Sequence, residues 1–129
     1  MKSCEISKIN NMINSRILSR LNHISTLPQN WDEEDADPIS LEAIEEAKII
    51  LKELEPHNLQ EEFIVPGKNG EVIIEYGTGT KRLIEIIIHP DRSRSMITYS
   101  KDKAFKSSFN LEEFLTFVNY KEKWWKKLF

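Results

Sequence analysis

Two apolar-rich segments, residues 71–76 and 81–89, are separated only by Gly77-Thr78-Gly79-Thr80. A parallel pairing would need a crossover of a dozen residues or more, so these two strands must be antiparallel neighbours. Within them the side chains alternate. Val72, Ile74 and Tyr76 share one face of the first strand, and Ile84, Ile86 and Ile88 share one face of the second. Uniting those faces predicts Tyr76 opposite Arg82, Ile74 opposite Ile84 and Val72 opposite Ile86. A slip of one residue would set Val72 across from Glu85 on the core side, which is costly. The other face then mixes Ile73, Leu83 and Ile87 with Glu71, Glu75 and Glu85. Such a half-apolar, half-acidic face predicts partial cover by a helix or use as a binding surface.

The same reading extends the sheet on both sides. Phe63-Ile64-Val65-Pro66 precedes a Gly67-Lys68-Asn69-Gly70 turn, and residues 95–100 follow a turn at residues 89–93. Tight turns between short strands indicate an antiparallel meander of three to four strands. Around it the period changes from two to about 3.6. Ile6, Ile9, Ile13, Ile17, Leu21 and Ile24 form one stripe of a helix over residues 4–25, ended by Leu27-Pro28. A second helix begins after Ser40 as N-cap, with Leu41, Ile44, Ala47, Leu51 and Leu54 inward, and stops at Glu55-Pro56. Asn110-Leu111-Glu112-Glu113 is a capping-box pattern opening a C-terminal helix with Leu111, Phe114, Leu115 and Val118 on its apolar side. The predicted fold class is α+β, one domain over residues 1–129: two N-terminal helices, the meander and a C-terminal helix.

With 40% hydrophobic and 30% charged residues in 129, the chain can bury one core and is not disordered by composition. A net charge of −3 argues against bulk electrostatic binding to nucleic acid. Cys4 is the single cysteine and cannot close an internal disulfide, and no apolar run is longer than three residues. Those features predict a cytoplasmic protein with no membrane span and no cofactor. The three histidines, His23, His57 and His89, share no metal-ligand spacing. An oxygen-ligand loop starting at Asp32 fails at its fifth position, Ala36, and its sixth, Asp37. No metal site is expected.

The charges are unevenly spread. Trp31 is followed by five acids within residues 32–37, namely Asp32, Glu33, Glu34, Asp35 and Asp37. One reading is structural: Trp31 plugs the gap between helices and sheet, while Asp32 accepts backbone N–H groups. The other makes the acids and the indole an anchor for a basic partner. At the C-terminus, Trp124 and Trp125 lie among Lys121, Lys123, Lys126 and Lys127. That segment either closes the core or forms a second partner surface.

The stretch Leu27-Pro28-Gln29-Asn30-Trp31-Asp32, with Ala36, Pro38 and the helix after Ser40, resembles a family of small bacterial and phage proteins. Their pattern is Leu-Pro-x-x-Trp-Asp-Gly-x-x-Ala-x-Pro, followed by a helix and a strand hairpin. Val65-Pro66, Gly70 and Glu75 stand where that pattern would put them, so the resemblance covers roughly residues 25–90. Glu33 departs from it, replacing the family's glycine. The resemblance implies an order of elements and attaches no activity.

Two functional expectations follow. The first is a small acidic protein-binding module, of the kind represented by immunity proteins, antitoxins and inhibitors in bacterial or phage conflict systems. Its partner-binding residues would be Trp31, Asp32, Glu33, Glu34, Asp35, Asp37, Trp124 and Trp125, with a homodimer through the second sheet face as a further possibility. The alternative is a small hydrolase or metal-dependent enzyme using Glu75, Glu85 and His89 on one sheet edge. His89 with Asp91 and a serine such as Ser93 or Ser95 reads more simply as turn chemistry, so no catalytic residue is assigned.

Overall fold

The computed structural model describes residues 15–57, 63–77, 83–100 and 103–118. Helix α1 (Ser15–Ser25) buries Ile17, Leu21 and Ile24, the second half of the isoleucine stripe; the first half, with Cys4, lies outside the described residues. Helix α2 (Leu41–Leu54) starts at Ser40, whose Oγ accepts the Ala43 N–H at 3.3 Å. Its buried residues are Ala43, Ile44, Ala47, Ile50, Leu51 and Leu54. The stripe differs from the expected one at its start: Leu41 is 66% exposed, and Ala43 and Ile50 are buried instead. A 3-10 turn, Glu55–His57, ends the helix.

The sheet has five antiparallel strands in sequential order: β1 (Phe63–Pro66), β2 (Val72–Tyr76), β3 (Ile84–Ile88), β4 (Arg94–Ser100) and β5 (Lys103–Ser108). The fifth strand exceeds the three or four expected. Every residue of β5 is exposed, so Lys-Ala-Phe-Lys-Ser-Ser carries no inside–outside alternation by which sequence could reveal it. Lysines on an exposed edge strand also hinder further pairing.

The predicted β2–β3 register is corrected by two residues: Val72 pairs with Ile88, Ile74 with Ile86 and Tyr76 with Ile84. A two-residue slip keeps every side chain on its own face, so face matching cannot see it. The connection is correspondingly longer than the four-residue turn.

The buried face of the sheet carries Ile64, Val72, Ile74, Tyr76, Ile84, Ile86, Ile88 and Met96, in one cluster with the inward residues of α1 and α2 and with Phe114. Phe114 belongs to α3 (residues 111–118), which is capped by Asn110: its Oδ1 accepts the Glu113 N–H at 3.0 Å. The Phe114 ring meets Tyr76 edge-on at 5.1 Å. Charged contacts fix the helices to this side. Arg20 Nε donates to the Ile64 carbonyl at 3.0 Å, and Arg94 on β4 binds Glu46 of α2 through Nε and Nη2 at 3.2 and 2.7 Å. All described helices therefore lie on one face of the sheet. None of them is long and apolar enough to cross a membrane.

Candidate functional site

The segment between α1 and α2 is a loop closed on its own backbone. Asn30 N–H donates to the Ala36 carbonyl at 2.7 Å, and Glu33 N–H donates to the Asn30 carbonyl at 3.1 Å. Asp32 Oδ1 accepts from the N–H groups of Glu34 and Ala36 at 2.8 and 3.0 Å, while Asn30 Oδ1 accepts from Asp35 N–H at 2.6 Å. Buried Ala36 points into the fold. The loop is also fastened to the β1–β2 turn: Asp37 N–H donates to the Lys68 carbonyl at 2.9 Å, and Ser40 N–H to the Gly70 carbonyl at 3.0 Å. Gly70 sits at φ 84°, and a Cβ there would approach the Pro38 carbonyl oxygen to 3.1 Å. That close approach in a left-handed conformation is what glycine permits.

Three non-glycine residues of this loop hold left-handed backbone: Asn30 (φ 65°), Glu33 (φ 64°) and Asp35 (φ 68°). Asn and Asp adopt it with local side-chain bonds; glutamate gains no such relief. Position 33 thus holds a backbone conformation that glycine favours.

The structure places the sequence-selected residues as follows. Trp31 is half-buried, packs against the core cluster, and donates its indole N–H to the Asp37 carbonyl at 2.7 Å. Asp32 is the loop's internal acceptor. Partial desolvation pushes its carboxyl upward, but the N–H groups of Glu34 and Ala36, with the charge of Lys68, outweigh this and hold it below the usual carboxylate range. Glu33, Glu34, Asp35 and Asp37 are exposed; Asp35 also accepts a long 3.5 Å bond from Gln29. Trp124 and Trp125 lie outside the described residues.

The second face of the sheet carries two rows read from the strand registers. One runs Phe63, Glu75, Glu85, Ile97, Lys106, and the other Val65, Ile73, Ile87, Ser95, Ser108. Leu83 and Tyr99 meet beyond the first row, where Tyr99 N–H donates to the Leu83 carbonyl at 2.8 Å. The described helices pack on the opposite face. Glu75 and Glu85 are directly opposed across β2 and β3. Desolvation, then a hydrogen bond to Glu85 and the charges of Glu85 and Glu75, raise the pKa of Tyr99.

His89 does not join Glu75 and Glu85. It lies four residues beyond Glu85, about 13 Å along the strand. Instead its Nε2 meets Ser95 Oγ at 2.9 Å, and its Nδ1 lies 3.9 Å from Glu71 Oε2. The order serine, histidine, carboxylate is that of a nucleophile relay, yet 3.9 Å exceeds the hydrogen-bond reach such a relay uses. The other Glu71 oxygen accepts the Asn69 N–H at 3.0 Å, which anchors the carboxylate to the turn. Asp91 likewise serves its own turn. The hydroxyl and N–H of Ser93 donate to it at 2.6 and 2.9 Å and hold its carboxyl below the usual range.

Sequence reading missed Ile97, Tyr99 and Lys106 as members of the open face. Only the strand registers across β3, β4 and β5 place them beside Glu75 and Glu85. Comparisons with protein-family models, with curated proteins and with solved structures find no match to this chain.

Proposed function

We propose that the chain is a small acidic protein-binding module that engages a basic partner through the loop between α1 and α2. The carrying observation is the way the loop is held. Three left-handed non-glycine residues are fixed by internal bonds and by two backbone bonds to the β1–β2 turn, and Glu33, Glu34, Asp35 and Asp37 face solvent from that frame. Backbone strain of this kind persists only where the surroundings over-determine it, and it concentrates at binding and switch segments. A preorganised loop loses less conformational freedom on association than a flexible one. Acids on a fixed frame also speed encounter with a positively charged surface. An inhibitor or immunity protein masking a basic enzyme uses this chemistry, and that class is the functional reading we adopt.

The test keeps the structural acceptor Asp32 and removes outward charge only, with Glu33→Gln, Glu34→Gln and Asp37→Asn combined. Tagged wild-type protein should retain a basic protein from its native host in a salt-dependent manner. The neutralised variant, with an unchanged circular dichroism spectrum, should bind that protein at least about tenfold more weakly and with a shallower salt slope. Equal affinity and equal salt slope for both proteins would sink the proposal.

A further inference from the structure

We infer that the open face of the sheet is a self-complementary surface on which a second copy of the chain packs, sheet against sheet. The geometry follows from the row Phe63, Glu75, Glu85, Ile97, Lys106, which reads apolar, acid, acid, apolar, base across the five strands. A two-fold axis across the strands lays each strand over itself, so neither Glu75 nor Glu85 meets Lys106. An axis along the strands at β3 would oppose the two Glu85 side chains. One between β2 and β3 would oppose Glu75 and Glu85. Opposite charges meet only when the axis lies at β4 or between β3 and β4, and the second choice overlaps four strands rather than three. In that arrangement β2 lies over β5 of the other copy and β3 over its β4. Each Glu75 then faces a Lys106 of the second copy, twice by symmetry.

The rest of the face fits the same placement. Ile87, only 8% exposed, and half-buried Ile73 come over Ser95 and Ser108 of the other copy, and Leu83 comes over Tyr99. Glu85 arrives over an isoleucine, with Tyr99 of its own copy on the neighbouring strand. Small hydroxyl residues opposite large aliphatic ones suit two faces about 10 Å apart. The four overlapping strands make a patch about 19 Å wide and 20 Å long, about 400 Å² of footprint per copy and about 800 Å² in total. That is below the usual size of a specific interface and implies a weak dimer with a dissociation constant in the micromolar range or above.

Sedimentation velocity on the full chain, from about 1 µM to about 1 mM, reads the association directly. Wild type should shift from monomer to dimer across that range. Glu75→Lys and Lys106→Glu should each weaken dimerisation by at least about tenfold, because like charges then face each other twice. An equimolar mixture of the two variants should restore it, since each heterodimer regains both opposite-charge pairs. Thermal melts of each variant confirm that it is folded, and the Glu75→Lys/Lys106→Glu double variant, which regains both pairs as a homodimer, serves if a single variant is not. Monomeric wild type throughout, single variants that dimerise like wild type, or a mixture and a double variant that stay monomeric would each overturn the inference. The acidic loop is untouched by these substitutions, so retention of a basic partner reports on it separately.

Discussion

Glu33 holds a left-handed backbone with no local side-chain bond to relieve it, at a cost of about 1–2 kcal/mol for an L-residue. Glycine would remove that cost while adding about 0.5–1 kcal/mol of unfolded-state freedom. Glu33→Gly is therefore expected to stabilise the fold by up to about 1 kcal/mol, measured by urea titration; a loss of stability would show that the strain is not there. Gly70 is the converse case. Gly70→Ala keeps the φ of 84° and brings a methyl to 3.1 Å from the Pro38 oxygen, so a loss of about 2 kcal/mol is expected, with loosening of the Ser40 N-cap. The carboxyls of Asp32 and Asp91 sit below their ordinary values in the folded chain. As pH falls the unfolded chain therefore takes up protons first, and the stability they contribute is complete above about pH 4 and lost as pH drops through the folded pKa values. Asp32→Asn should flatten the acid limb of a melting-temperature profile; an unchanged limb would mean that Asp32 carries no such linkage. At this scale the sequence was informative where side-chain chemistry is local. Asp32 as a backbone acceptor and Ser40 and Asn110 as caps follow from residue type and position. Glu33 in a left-handed conformation does not, because glutamate carries no signal for it.

Helices and strands were legible in proportion to their burial. The periodicities of α1, α2, β2 and β3 come from a core on one side, and over the described residues those elements stand where the periodicity puts them. The β2–β3 register was off by two because a two-residue slip preserves both faces, and β5 was missed because no residue of it is buried. Charged contacts between elements were equally invisible, since Arg94 and Glu46 lie 48 residues apart in the chain. That pair clamps α2 to β4: Glu46 has a side chain 15% exposed and binds Arg94 at 2.7 Å, with Arg92 at 3.7 Å. Glu46→Ala should cost about 1–2 kcal/mol, because a half-buried guanidinium loses a charged hydrogen bond. Glu45 binds Arg92 at 2.7 Å, but its side chain is 62% exposed. Solvent competes for that pair, and Glu45→Ala should leave the urea midpoint unchanged. Equal effects of the two substitutions would show that burial does not separate them.

Across the described residues, all three helices share a single hydrophobic cluster with one face of the sheet, and this arrangement has its own test in two phenylalanines. Phe114 is wholly buried where α3 meets the sheet, edge-on to Tyr76 and 5.9 Å from Phe109. Phe105 lies on the exposed edge strand and is 59% exposed. The sequence puts Phe114 on the apolar side of a helix and gives Phe105 no such pattern, and the packing agrees with that difference. Removing the Phe114 ring loses both its transfer free energy and its contacts, and leaves a cavity under β2, so Phe114→Ala should cost about 3–5 kcal/mol. Against a total stability of about 5–15 kcal/mol, that is a large fraction of the whole. If α3 is integral to the cluster, the loss should appear as a lower urea midpoint with an unchanged slope, because the entire cluster still unfolds together. If α3 were an appendage, its detachment would leave the sheet and the other helices at their wild-type midpoint. Phe105→Ala should stay within about 0.5 kcal/mol of wild type, as expected for a surface site. A larger cost at Phe105 than at Phe114 would mean that the core does not centre where α3 meets β2.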